Sequence, residues 1–92
     1  MTISLHRHFV EQVLRQPSAI RAAVFDAMLV LPEAFRHPGR HTGLGLRKLH
    51  ASGVWEERIG LELRMLIQMA PDTAVLRLLG THDEVRKYLK NL

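Results

Sequence analysis

The stretch VWEERIGLELRMLIQM, residues 54–69, decides how this chain is read. From Leu61 onward, Leu61, Leu63, Met65, Ile67 and Met69 occupy alternate positions, with Glu62, Arg64, Leu66 and Gln68 between them. Successive side chains of a strand point to opposite faces, so this period of two predicts a strand with one face on a core. Val54–Ile59 predicts a partner strand, and Gly60 marks the turn between them. Working outward, Pro71-Asp72-Thr73 is a turn signal followed by a third strand over Ala74–Leu79, and Leu46–Leu49 suits a short strand upstream. Three or four consecutive strands of this kind form an antiparallel meander.

Before the meander the period changes. Phe9, Val10, Val13 and Leu14 recur at helical spacing and predict a short helix over His8–Gln16. Pro17 and Ser18 open a second helix with the stripe Ile20, Val24, Ala27, Met28 and Leu31; Pro32 and then Pro38-Gly39 are expected to end it. A tight turn would make these two helices antiparallel neighbours, and Thr2–Leu5 fits a short edge strand. After the meander, Thr81 stands three residues before Glu84, a capping-box spacing. It predicts a last helix with Val85, Tyr88, Leu89 and Leu92 inward and Arg86, Lys87 and Lys90 outward. The expected architecture is α+β, one domain over residues 1–92, with helices layered on one face of a twisted antiparallel sheet.

Composition narrows the function classes. A chain of 92 residues with 47% hydrophobic content supports one modest core. Cysteine is absent, which excludes disulfides and thiolate metal sites. No apolar run approaches the ~20 residues of a membrane span. Met1–His8 carries His6, Arg7 and His8 where a secretion signal needs apolar residues, so a cytoplasmic protein is expected. The net charge is +4, and ten of the 13 basic residues are arginine, whose planar fork can grip phosphate through two bonds. No acidic residue lies between Glu33 and Glu56, a stretch holding Arg36, His37, Arg40, His41, Arg47, Lys48 and His50. Such a block favours a polyanionic partner; a solvated loop is the plainer alternative.

The strands would gather some of these charges. If the first turn centres on Leu61, Arg58 and Arg64 lie opposite each other, an arrangement that repels unless an anion or a carboxylate such as Glu56 or Glu62 neutralises it. A surface salt-bridge cluster and a phosphate clamp both fit this spacing. If the next turn centres on Asp72, Arg64 faces Gly80, and His82 arrives at the same end in the first turn of the last helix, where free backbone N–H groups attract anions. Metal-independent RNA cleavage needs deprotonation of a 2′-hydroxyl, stabilisation of the phosphorane charge and protonation of the leaving 5′-oxygen. Arginine suits the second task, and histidine, titrating near neutrality, the first or third. Neither a phosphate-binding glycine loop nor a nucleophile elbow is present. Pro38 and Gly39 separate His37 from His41, so they do not share a helical face as zinc ligands would, and no metal or other cofactor is expected. Trp55 could stack on a base or, as a strand tryptophan in a small domain, belong to the core.

The second half of the chain resembles the RelE/ParE toxin superfamily. The residues that carry the resemblance are Arg47-Lys48-Leu49-His50, then Gly53-Val54-Trp55-Glu56-Glu57-Arg58-Ile59-Gly60, then Leu63-Arg64-Met65-Leu66-Ile67, and finally Leu79-Gly80-Thr81-His82-Asp83-Glu84-Val85. The resemblance implies a fold with a short strand, two helices, a meander and a C-terminal helix, and a cognate antitoxin as partner. For the RelE branch it implies cleavage of mRNA in the decoding site of the ribosome by a set of basic residues. By position, Lys48 and His50 fall on the family's basic segment, Arg58 and Arg64 on its two strand arginines, and His82 near a basic position at the end of the last strand. These five are the expected catalytic set, with Arg36, Arg40, Arg47, Arg77, Arg86, Lys87 and Tyr88 expected to contact RNA. Two departures stand out. Arg86 occupies the place of the tyrosine that commonly follows the Glu-Val pair, and Tyr88, two residues on, lies on another helical face. Arg47 or Lys48 stands where the YoeB branch places a glutamate base, which leaves His50 and His82 as the proton-transfer candidates. A ParE-type toxin that inhibits DNA gyrase without catalysis, and a toxin-fold protein that binds RNA without cutting it, are the alternative readings.

Overall fold

The computed structural model describes residues 1–37 and 45–91. The element order is β1 (Thr2–Leu5), α1 (Arg7–Leu14), α2 (Ser18–Arg36), β2 (Arg47–His50), β3 (Val54–Ile59), β4 (Leu63–Ala70), β5 (Thr73–Thr81) and α3 (His82–Lys90). The strands form one sheet in the order β1-β5-β4-β3-β2. β2 to β5 are the antiparallel meander, while β1 lies parallel to β5, pairing Thr2 with Thr73 and Leu5 with Leu76. The Arg40, His41 and Pro38-Gly39 expectations fall outside the described residues, as does Leu92.

The helices do not share one face. α1 and α2 cover the main core, where Phe9, Val24, Leu31 and Ala34 meet Ile59, Met65, Ile67, Ala74, Leu76 and Leu79 of the sheet. α3 packs on the opposite face, where Val85 meets Val54, Leu66 and Leu78, flanked by Leu49, Tyr88 and Leu89. The physical reason lies in the strands themselves: Leu66 sits in the polar row of β4 and is fully buried, so both faces of that strand need a cover. Leu61, expected on the core face, is 90% exposed because it sits in the β3–β4 turn, past the reach of the helices.

α2 runs through Pro32, which was expected to help end it. Proline removes one backbone hydrogen bond from a helix interior. Here Leu31 and Ala34 on either side are buried, and Phe35 stands edge-on to Trp55 with ring centroids 5.2 Å apart, so packing holds the last turn in place. The same contact places the half-buried Trp55 against the core. Past Leu76, β5 has no further β1 residue beside it, and the Leu79 N–H donates instead to Gln12 Oε1 of α1 at 3.0 Å. No helix among the described residues is long and apolar enough to cross a membrane.

Candidate functional site

The β3–β4 hairpin is in the expected register: Arg58 pairs with Arg64 and Glu56 with Leu66. Gly60, at φ +67, supports the turn that sets this register. The β4–β5 hairpin reaches the expected pairing by another route. Its turn sets Ala70 against Thr73 and Ile67 against Leu76, a register that would bring Leu79 opposite Arg64. A bulge at Arg77 then inserts one residue, so that Leu66 pairs with Leu78 and Arg64 with Gly80. Beyond Gly80 the chain turns into α3. Thr81 Oγ1 accepts from the Glu84 N–H at 3.3 Å and Glu84 Oε1 from the Thr81 N–H at 3.0 Å, the full capping box. A side chain at Gly80 would crowd Glu84, whose Cβ lies 3.1 Å from the place a Cβ would take. This entry sets His82 as the first residue of α3.

These elements enclose a cleft of about 350 Å³ lined by Gly45, Leu46, Arg47, Glu56, Arg58, Arg64 and His82. Glu56 is its anchor. Its side chain is only 3% exposed, and Oε1 accepts from Arg47 Nε at 3.0 Å and from Arg64 Nη1 at 2.9 Å. Arg47 is largely exposed and Arg64 mostly buried. The buried carboxylate offsets the repulsion that the facing Arg58 and Arg64 would otherwise feel. Breaking such a buried pair by removing one partner costs about 3–5 kcal/mol. Arg58 is exposed, and no carboxylate pairs with it among the described residues. Its stem packs against Gly45, where an added Cβ would meet Arg58 Cβ, Cγ and Cδ at 3.1 Å; Gly45 also has φ +84, where an L side chain is strained. Three guanidiniums and an exposed imidazole around one carboxylate leave the cleft cationic, suited to a phosphodiester.

No protein-family model and no curated protein matches the chain. Solved structures do. A YoeB/ParE toxin from Agrobacterium tumefaciens superposes with a TM-score of 0.66 at 19% identity, covering 89% of this chain and 99% of that one. The RelB-RelE antitoxin–toxin complex from Methanococcus jannaschii gives 0.65 at 19% identity, covering 92% and 96%. The RelBE2 toxin–antitoxin complex from Mycobacterium tuberculosis gives 0.61 at 20% identity, covering 88% and 96%. The chain has the RelE/ParE toxin fold.

On this toxin fold the residues singled out from sequence separate into groups. Arg47, Arg58, Arg64 and His82 meet in the cleft. Lys48 and His50 lie along β2 outside its lining. Lys48 pairs with Trp55, so its neighbour Arg47, not Lys48, shares the face of Glu56. His50 pairs with Val54 at the far end of β3, its Nδ1 2.6 Å from Ser52 Oγ and accepting from the Ser52 N–H at 3.1 Å. Arg77 is the bulge residue of β5, half-buried, with an Nε that has no partner among the described residues. Arg36 is exposed in the last turn of α2; Arg86 and Lys87 are exposed on α3; Tyr88 packs beside the second core.

From sequence Glu56 is expected only as a possible neutraliser of the arginine pair, not as a residue of the site. Its signal was available: one carboxylate on the same strand face as Arg58, two residues away. Glu62, weighed beside it, is exposed in the turn. Glu57, one residue on, points to the other face and is buried in the toxin fold's main layer, where loss of solvation raises its pKa from 4.5 to about 7.

Proposed function

We propose that this chain is the toxin of a toxin–antitoxin pair and that it cuts messenger RNA on the ribosome. The observation that carries the reading is the convergence of Arg47, Arg58, Arg64 and His82 on one cleft. In the proposed reaction the 2′-oxygen of a nucleotide gives its proton to a solvent water or hydroxide and attacks the adjacent phosphorus. Arg58 and Arg64 stabilise the charge on the phosphorane oxygens. The bond to the 5′-oxygen breaks, and His82 in its protonated form gives that oxygen a proton, to be reprotonated from solvent, leaving a 2′,3′-cyclic phosphate and a free 5′-hydroxyl. Lys48 and His50 along β2, with Arg36, Arg77, Arg86 and Lys87, are proposed as contacts to the RNA on either side of the scissile phosphate. Two of the structural neighbours are toxins complexed with antitoxins, which supports a cognate antitoxin as the restraint on this chain.

A second reading has one observation behind it. The cleft holds no tyrosine, because Tyr88 is turned onto the second core and Arg86 takes the place of the usual tyrosine. That arrangement suits a ParE-type toxin that binds gyrase and performs no chemistry. Expression of the chain in a cell-free translation system, with primer extension on the message, separates the two. Cuts inside codons that require ribosomes support the nuclease. An intact message together with inhibited gyrase supports the binding toxin.

A further inference from the structure

We infer that Glu56 is a positioning residue that acts through Arg47 and Arg64, holding both guanidiniums at the cleft before substrate arrives; this rests on the nuclease reading above. A guanidinium carries five N–H donors. Glu56 engages Arg47 only through Nε and Arg64 only through Nη1. Each arginine therefore keeps a pair of Nη or Nε donors for a phosphate while the carboxylate fixes its plane. Both bonds end on one oxygen, Oε1, so the two arginines are tied to each other as well as to β3.

The alternative is a salt bridge that serves stability alone, and the surroundings argue against it. Arg47 is 65% exposed, a setting in which an isolated ion pair contributes little. A carboxylate 3% exposed at the floor of a cleft is an expensive way to gain stability, since apolar residues of similar size often serve as well. What the carboxylate supplies is direction. Without it, Arg64 faces the like charge of Arg58 across the hairpin with no other acid paired to it among the described residues. Donors already oriented toward a developing charge need no rearrangement during reaction, and small misplacements cost much of the rate.

The test is steady-state cleavage of message on programmed ribosomes by the full chain and by Glu56→Gln, alongside Tm. KM for the ribosome is set by the whole surface, so E56Q is expected to change it by less than about threefold while kcat falls about 10- to 100-fold. In an Arg47→Gln/Arg64→Gln background, adding E56Q is expected to change nothing further, because its effect runs through those two side chains. A folded E56Q that cuts at the wild-type rate overturns the inference, as does an undiminished effect of E56Q in the double-variant background. If E56Q does not fold, Glu56→Asp keeps the charge but shortens the reach, and wild-type cleavage by E56D overturns it equally. If the wild-type chain does not cut, the nuclease reading falls separately. An uncleavable 2′-O-methyl trinucleotide then decides: about tenfold weaker binding by E56Q keeps Glu56 as organiser of the cleft, and equal binding rejects it.

Discussion

Glu56 and Glu57 are adjacent in sequence and opposite in surroundings. Both are buried, yet strand alternation sends Glu56 to a face with two arginines and Glu57 to the layer beneath α1 and α2, where Oε2 has no partner among the described residues. Burial raises the Glu57 pKa to about 7. The unfolded chain therefore releases this proton near pH 4.5 while the folded chain keeps it up to about pH 7. Stability is unaffected by Glu57 below the lower value, falls as pH rises between the two, and carries the full cost above the higher one. Glu57→Gln is expected to match the wild type near pH 4 and to exceed it at pH 8 by at most about 3 kcal/mol, read from denaturant unfolding at both values. A gain independent of pH would assign the effect to packing.

At the scale of elements, α3 begins where the cleft ends, so its capping box sets where His82 meets the cleft. Thr81 and Glu84 satisfy each other's backbone N–H groups and fix the angle at which the chain leaves β5. Thr81→Ala is expected to lower stability by about 1 kcal/mol. On the nuclease reading proposed above, the variant is also expected to lower the cleavage rate more than a matched surface variant of α3 such as Lys90→Ala, because His82 is the next residue. Urea unfolding and the primer-extension assay check the two effects together. The capping box was legible from the Thr81–Glu84 spacing alone. The bulge at Arg77 was not, because a bulge depends on how two strands share their hydrogen bonds, and nothing in the order Leu76-Arg77-Leu78 announces it. The expected Arg64–Gly80 pairing was reached from a turn centred on Asp72; the molecule arrives there through a tighter turn and one extra residue.

For the whole molecule the net charge of +4 is unevenly spread, with three guanidiniums of the cleft gathered at one end of the β2–β3–β4 meander. On the nuclease reading proposed above, binding of a short single-stranded RNA is expected to be electrostatic. For two phosphate contacts, raising salt from about 50 to about 200 mM should weaken it about sevenfold. Arg58→Gln should flatten that salt dependence, as fluorescence titration at several salt concentrations would show. A salt-independent affinity would place binding on apolar contacts instead.

Local pattern was enough to specify the strands, the helices, the Arg58–Arg64 pairing and the entry of His82 into the last helix. Alternation, helical spacing and turn residues act over a few positions, and each can be read where it stands. Other features were decided only by the folded chain. α3 lies on the far face of the sheet because Leu66 and Leu78 need cover there. α2 continues past Pro32 because buried Leu31 and Ala34 outweigh the lost hydrogen bond. Lys48 and His50 fall outside the cleft because their places on β2 depend on its pairing with β3. Glu56 becomes the anchor because β2 and β4 bring arginines to its two sides, a contact between residues eight and nine positions apart that only the sheet assembles.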